Sequence, residues 1–512
     1  MRPVIKLLLL SSILILSCKN KNINEKEPNN NPHTPQVLKG NITVNCTIKD
    51  HYDNDYFKIV PDAQPLLRIA VVPDPGLDPA IIVYSANHKL IQTVNYYEKG
   101  FAEVIYNFKI QQPFILIKIY NTTTEPTNGA YSLELKKLDP VHNEAEPDNT
   151  IKTASPLCAN ESVAGFYPPG PDISNKPPEK DYFKLEIKEN GLWNVKLSLE
   201  PDRDFDPSIA AYDIKGSLLQ QINNHKYNKA EFIKNIVLEG PGELYIKIQG
   251  SNRSDSHVNY YLINEVTAAS ANAEKEPNDQ LHQATSFPGE SDEIKGNINY
   301  AGDRDIYRIS TAFSRGKLLN LVLHPPQQVK CSLTLFNNIG KKITATAVTG
   351  SSGLYSINNI QVFKNVYYIA VSSASNSYNE NDNYILKKYF RNIVPGLEQE
   401  PNNSFSEVQP VKNSKLYTGY LANNTDRDFY EFNIYTDGTY TLELNPVPGM
   451  SIAARIFDQR EELFYKNTFY GTNKYIQEDI NFQKGTYFLC FSPQTNALIK
   501  PDTPYRFKIE PR

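Results

Sequence analysis

Apolar and polar residues alternate in short runs along nearly all of the chain after residue 25. The pairs Phe57 and Ile59, Phe183 and Leu185, Tyr307 and Ile309, and Phe432 and Ile434 each open such a run. Period-two alternation marks a strand with one buried face. Further runs lie at Phe114–Ile119, Leu244–Ile248, Val366–Val371 and Tyr487–Phe491. Each is followed by a last one: Tyr131, Leu133 and Leu135; Tyr260 and Leu262; Tyr384 and Leu386; Tyr505 and Phe507. No segment keeps a helical period for more than about three turns. Short strands separated by Gly, Pro, Asn and Asp predict a sandwich or barrel. The 33 Tyr and 23 Phe, beside one Trp and two Met, lean the same way because aromatic side chains suit a pleated, half-buried surface.

The pattern repeats four times. Glu25-Lys26-Glu27-Pro28-Asn29-Asn30 returns as Glu144-Ala145-Glu146-Pro147-Asp148-Asn149, as Glu274-Lys275-Glu276-Pro277-Asn278-Asp279 and as Glu398-Gln399-Glu400-Pro401-Asn402-Asn403. The starts are 119, 130 and 124 residues apart, and 115 residues run from the last to Arg512. A short strand opened by Gly40, Gly165, Gly296 or Gly419 follows each. Then come Asp53-Asn54-Asp55, Glu179-Lys180-Asp181, Asp303-Arg304-Asp305 and Asp426-Arg427-Asp428. A repeat of this length can bury its own core, unlike the shorter units of solenoids. The expected organisation is a signal peptide at 1–17, a tether at 18–24, and four β-sandwich domains at 25–139, 140–266, 267–393 and 394–512. Residues Glu265 to Ala273 read as a flexible connector.

Arg2 and Lys6 precede about ten mostly apolar residues, Leu7 to Leu16, too few to span a bilayer, which reads as an export signal. Ile15-Leu16-Ser17-Cys18 resembles a bacterial lipobox, which implies cleavage before Cys18 and lipidation of its thiol. Lys19 is not the Asp that commonly signals inner-membrane retention, so an outer-membrane destination is favoured over the inner. The formal charge is −4, and 51 bases face 57 acids after residue 17, which leaves no electrostatic footprint for nucleic acid. Cys46, Cys158, Cys331 and Cys490 do not recur between repeats, so mostly free thiols are expected.

The Glu-x-Glu-Pro-Asn opening, the Gly-initiated strand and Asp-x-Asp-Tyr-Phe resemble the bacterial pre-peptidase C-terminal domain family, which includes the collagen-binding domains of clostridial collagenases. The similarity covers all four repeats. It implies an all-β chain of four tandem jelly-roll-like β-sandwich domains, with calcium bridging the Glu-rich segment and the Asp-rich loop.

The residue chemistry agrees with that implication. Calcium takes six to eight oxygens from carboxylates, amides, backbone and water. Glu25, Glu27, Asn29, Asn30, Asp53 and Asp55 offer such oxygens in repeat 1. The equivalent sets are Glu144, Glu146, Asp148, Asn149, Glu179 and Asp181; Glu274, Glu276, Asn278, Asp279, Asp303 and Asp305; and Glu398, Glu400, Asn402, Asn403, Asp426 and Asp428. Repeat 2 departs most, with Glu179 for the first Asp and a Pro-rich insertion before it. The alternative is a solvated acidic linker stiffened by Pro, beside an Asp-capped turn. Recurrence of both halves at offsets of 26, 27 and 26 residues (Glu27 to Asp53, Glu276 to Asp303, Glu400 to Asp426) favours metal.

None of the eight His forms HExxH or recurs between repeats, and GxSxG and P-loop motifs are absent. The expectation is a non-catalytic exported lipoprotein, held to the membrane by its lipid. Its modules bind an extracellular or envelope protein or polysaccharide. A structural spacer without a ligand is the runner-up, and a cryptic hydrolase comes third. Tyr96-Tyr97, Tyr367-Tyr368, Tyr465, Phe469 and Tyr470 are candidate surface contacts.

Overall fold

The structure, a computed structural model, describes residues 21–61, 66–123, 128–167, 180–202, 205–250, 258–289, 292–346, 353–472, 474–494 and 497–512. Cys18, the signal peptide and Glu179 lie outside the described residues. Among the described residues the chain is nearly all β, and helix is limited to single 3-10 turns such as Ile151–Thr153, Leu281–Gln283 and Phe405–Glu407. By internal contacts it divides into two units. One comprises 1–188, 197–231 and 242–265, the other 189–196, 232–241 and 266–512.

In the first unit the opening repeat contains β1 (Lys21–Asn24), β2 (Gln36–Leu38), β3 (Ile42–Ile48), β4 (Asn54–Ile59), β5 (Leu66–Pro73), β6 (Pro79–Tyr84), β7 (Leu90–Val94), β8 (Glu103–Lys109), β9 (Ile115–Asn121) and β10 (Gly129–Leu138). One sheet has the order β1-β3-β10-β5-β8 and the other β2-β4-β9-β6-β7. Both feed a single core, to which β3 gives Ile42, Val44, Cys46 and Ile48, β4 gives Phe57 and Ile59, and β10 gives Tyr131, Leu133 and Leu135. Burying each large apolar side chain contributes about 1.5–3 kcal/mol. A slip of one residue would turn the whole set to solvent, so the register is strongly specified.

The same order returns twice in the second unit. Glu293–Gly296, Tyr384–Arg391, Leu318–His324 and Tyr355–Gln361 form one sheet, and Thr285–Ser286, Arg304–Ser310, Val366–Ser373, Cys331–Phe336 and Lys342–Thr346 the other. In repeat 4, Tyr417–Gly419, Tyr505–Pro511, Gly438–Asn445 and Ile476–Phe482 pair beside Gln409–Pro410, Asp428–Ile434, Gly485–Pro493, Ser451–Phe457 and Leu463–Tyr470. Each pair of sheets shares one core. Repeat 2 differs. Its strands Asp181–Pro201 and Glu231–Gly250 run unbroken where repeat 1 uses β4 then β5 and β8 then β9, giving one seven-stranded sheet.

Three sequence expectations are corrected. The expected connector at Glu265 to Ala273 is strand as far as Ala268, in the element Val258–Ala268. Gly165, Gly296 and Gly419 lie within or at the end of their strands rather than opening them, and Gly40 does not match them. It precedes β3 at φ +78°, whereas the strand position opposite Tyr131 is Cys46. Of the aromatic surface candidates, Tyr367 and Phe469 are buried in the cores, while Tyr470 is exposed. Cys46, Cys158, Cys331 and Cys490 are free thiols.

Candidate metal centres

Local hydrogen bonds fold both acidic segments in the same way in each repeat. The second Glu of the opening motif bends back on its own chain. Its Oε2 accepts from the backbone N–H two residues on, at 3.0 Å for Glu27 and Asn29, 3.0 Å for Glu146 and Asp148, 2.9 Å for Glu276 and Asn278, and 2.9 Å for Glu400 and Asn402. The intervening Glu–Pro bond is cis in all four repeats. The backbone carbonyl of that Asn or Asp then accepts from the residue after the second loop Asp: Tyr56, Tyr182, Ile306 and Phe429, at 2.9–3.1 Å. This bond draws the two halves of each site together.

In the loop, the first Asp caps a turn through one oxygen. Asp53 Oδ2 accepts from Lys49 N at 2.8 Å, Asp303 Oδ2 from Asn299 N at 2.7 Å, and Asp426 Oδ2 from Ala422 N at 2.6 Å. The second Asp is held by a tyrosine of the last strand. Tyr131 donates to Asp55 at 2.5 Å, Tyr260 to Asp181 at 2.5 Å, Tyr384 to Asp305 at 2.6 Å and Tyr505 to Asp428 at 2.5 Å.

The carboxylates converge once these anchors are made. Glu27, Asp53 and Asp55 bring one oxygen each to within 4.8 Å of one another, as do Glu146, Asp148 and Asp181; Glu274, Glu276 and Asp305; and Glu400, Asp426 and Asp428. In repeat 3 the second oxygens of Glu276, Asp303 and Asp305 and the amide of Asn278 are buried without a hydrogen-bond partner among the described residues. Asp428 Oδ1 and the Asn402 amide are in the same position in repeat 4. In repeat 1 a terminal atom of the Asn29 amide lies 2.9 Å from Glu27 Oε2 and 3.0 Å from Asp55 Oδ1. As nitrogen it donates to both; as oxygen it joins them around one point. An orphaned buried carboxylate oxygen is costly. One hard cation satisfies several at once, and an all-oxygen donor set suits calcium. These clusters can hold a metal ion.

The electrostatics show how uncomfortable they are alone. Burial first, and then the neighbouring carboxylates, push Glu276, Glu400, Asp305 and Asp428 well above the usual carboxylate range. Burial raises Asp55 to about 7 and Asp426 to about 6. Repeat 1 is eased by a cation of its own. Lys49 Nζ sits 2.9 Å from Glu27 Oε1, and that hydrogen bond lowers the Glu27 pKa.

The predicted residues separate into three roles. Glu27, Asp53 and Asp55 meet in repeat 1, Glu146, Asp148 and Asp181 in repeat 2, Glu276 and Asp305 in repeat 3, and Glu400, Asp426 and Asp428 in repeat 4. Asn29 reaches Glu27 and Asp55, and Asn278, Asp303 and Asn402 keep buried polar atoms without a hydrogen-bond partner among the described residues. The first Glu of each motif instead accepts from the adjoining strand or from the residue just after it. Glu25 takes Thr47 N at 2.9 Å, Glu144 takes Phe166 N at 2.5 Å, Glu274 takes Asn297 N at 3.0 Å and Glu398 takes Tyr420 N at 2.6 Å. Only Glu274 of these also joins its carboxylate group. The last motif residue braces the loop. Asn149 Oδ1 accepts from Lys180 N, Asp279 from Tyr300 OH, and Asn403 Oδ1 from Arg427 N. The amide of Asn30 lies 2.7 Å from Asp53 Oδ1.

The tyrosines were legible only as core residues, although each lies 76–79 residues after its Asp. Gly165, Gly296 and Gly419 sit opposite Tyr260, Tyr384 and Tyr505 in the register. A Cβ at any of them would run into the tyrosine hydroxyl. Glycine is there for space, and its φ is ordinary. Clefts of about 280 Å³ beside Gly296 and about 460 Å³ beside Asp426 lie next to the centres of repeats 3 and 4.

No family model and no curated protein matches the chain. Among solved structures, the pre-peptidase C-terminal domain of a collagenase from Bacillus anthracis is 16% identical, covering 20% of this chain and 94% of that one at a TM-score of 0.17. A β-glucosidase from Paenibacillus barengoltzii is 17% identical over 22% of this chain and 12% of that one, at 0.14. The BSP domain of a biofilm-associated protein is 11% identical over 85% and 89%, at 0.13. Likeness at these scores bears on neither site nor ligand.

Proposed function

We propose that this chain is a non-catalytic exported lipoprotein, anchored through Cys18. In this reading its four tandem β-sandwich modules, stabilised by calcium, bind an extracellular or envelope protein or polysaccharide. One observation carries it: in every repeat, two acidic segments far apart in sequence meet in a group of three carboxylates. The residues that would hold calcium are Glu27, Asn29, Asp53 and Asp55 in repeat 1; Glu146, Asp148 and Asp181 in repeat 2; and their equivalents in repeats 3 and 4. The ion would neutralise the cluster and pin each opening segment to its own Asp loop. Buried carboxylates so placed act on the folding of each module, and the ligand is left to surfaces elsewhere. Modules in tandem gain avidity when their sites engage together.

Two measurements test this. Melting temperature should rise with millimolar Ca²⁺, and Asp305→Ala should blunt the rise; an unchanged curve would remove the metal. Capture of the protein on immobilised collagen, glycans or envelope fractions tests the binding role. Silence on all three would overturn it in favour of a spacer.

A further inference from the structure

In each of the first three repeats, one asparagine of a core strand takes a left-handed backbone. Asn107, Asn235 and Asn359 have φ of +54°, +59° and +61°. The register slips at this point in β8 and in Tyr355–Gln361, so the asparagine bulges from its sheet. Asn tolerates this conformation better than most residues. Each reaches the opening motif of the next repeat. Its side-chain amide donates to the first Glu: Asn107 to Glu144 at 3.2 Å, Asn235 to Glu274 at 2.6 Å, and Asn359 to Glu398 at 3.0 Å. Its carbonyl accepts from the second Glu: Glu146 N at 2.8 Å, and Glu276 N and Glu400 N at 2.9 Å. The residue after it forms a parallel bridge to the same Glu: Phe108 with Glu146, Ile236 with Glu276, Ile360 with Glu400.

Repeats 1 and 4 differ at the corresponding positions. Repeat 1 supplies the side-chain donor itself, for Thr47 Oγ1 donates to Glu25 Oε1 at 2.8 Å. In repeat 4 the residue at the bulge position is Asp479. There the strand Ile476–Phe482 pairs without a register shift, and Asp479 accepts from Thr441 Oγ1 at 2.6 Å and pairs with Arg512. An ionised Asp side chain accepts at this position and does not donate.

We infer that the metal centres of repeats 2, 3 and 4 are not self-contained: each is completed by Asn107, Asn235 or Asn359 of the repeat before it, acting as a positioning residue. The inference rests on reading the carboxylate groups as metal centres. One asparagine grips both glutamates of the motif, the first through its amide and the second through its carbonyl. Glu276 and Glu400 therefore come to their clusters already held. These repeats are linked in series, because each of the three centres depends on a fold upstream of it.

The test is a crossed pair of variants in the full-length chain. Hydrogen exchange is followed against Ca²⁺ concentration over residues 270–280 and 394–404. Asn359→Gly keeps the left-handed backbone and removes the amide. It should raise the Ca²⁺ midpoint for protection of 394–404 by about tenfold, the scale of one hydrogen bond to a charged group, and leave 270–280 unchanged. Asn235→Gly should do the reverse, and Asp479→Asn should move neither. Equal shifts at both segments, or no shift at either, would overturn the inference while Ca²⁺ protection of the wild type leaves the metal reading intact. A wild type with no Ca²⁺-dependent protection anywhere would sink the metal reading first, and this inference with it.

Discussion

Tyr384 illustrates how much of each centre depends on single side chains. It is fully buried and donates to Asp305, whose other oxygen has no hydrogen-bond partner among the described residues. Tyr384→Phe should therefore destabilise the second unit by about 1–3 kcal/mol, the cost of leaving a buried acceptor unsatisfied. Denaturant unfolding measures it, and a loss of only a few tenths would show that the bond is incidental. Lys49 sets repeat 1 apart. Its ammonium occupies Glu27, a residue that a metal ion would need, and both are partly exposed. Lys49→Gln should strengthen Ca²⁺ binding in repeat 1 several-fold and leave the other repeats alone. Unchanged affinity there would show that the lysine does not compete. Glu27 was readable from its motif; its partner Lys49 was not, because it enters from a neighbouring turn.

At the scale of the strand, the alternation of β3 and β10 is enough to predict which face is buried. It does not say which residues stand opposite one another. The pairing of Gly296 with Tyr384 leaves room for a hydroxyl inside the sheet. Gly296→Ala would set a methyl against Tyr384, Tyr307 and Glu274. Overpacking of this kind costs about 1–3 kcal/mol, so the melting temperature should fall, and a tolerated alanine would mean that the tyrosine moves aside freely. Repeat 1 fills the same position with Cys46, which is why Gly40 looked equivalent in sequence and is not. The long strands of repeat 2 are not legible either, since Asp181–Pro201 contains Asn190-Gly191, a pair that ordinarily favours a turn.

Across the whole molecule the carboxylate clusters give stability a pH dependence. Burial raises Asp55 and Glu274 to about 7, Glu398 to about 8 and Asp426 to about 6 in the folded chain. Unfolded carboxylates titrate near about 4. Without metal the folded state therefore binds more protons across this range. The stability these groups contribute is present below about pH 4 and is lost as pH rises through the folded values. Protein in EDTA should melt higher at pH 5 than at pH 8, and Ca²⁺, which binds the ionised form, should help most at pH 8. A metal-free melting temperature that climbs from pH 5 to pH 8 would contradict this. Several transitions are expected, since units with separate cores need not unfold together.

The all-β class and the fourfold recurrence follow from the sequence alone, because alternation and motif spacing are local properties that the chain carries before it folds. The two acidic segments could be named from it as well. Only the tertiary structure decided which oxygen of each carboxylate is tied down and which is left over. It alone placed a tyrosine from the last strand at every centre and, in repeats 2, 3 and 4, a glycine opposite it and an asparagine from the repeat before. Those contacts depend on strand register and on residues dozens of positions apart, which burial and hydrogen bonding select together and no local pattern encodes.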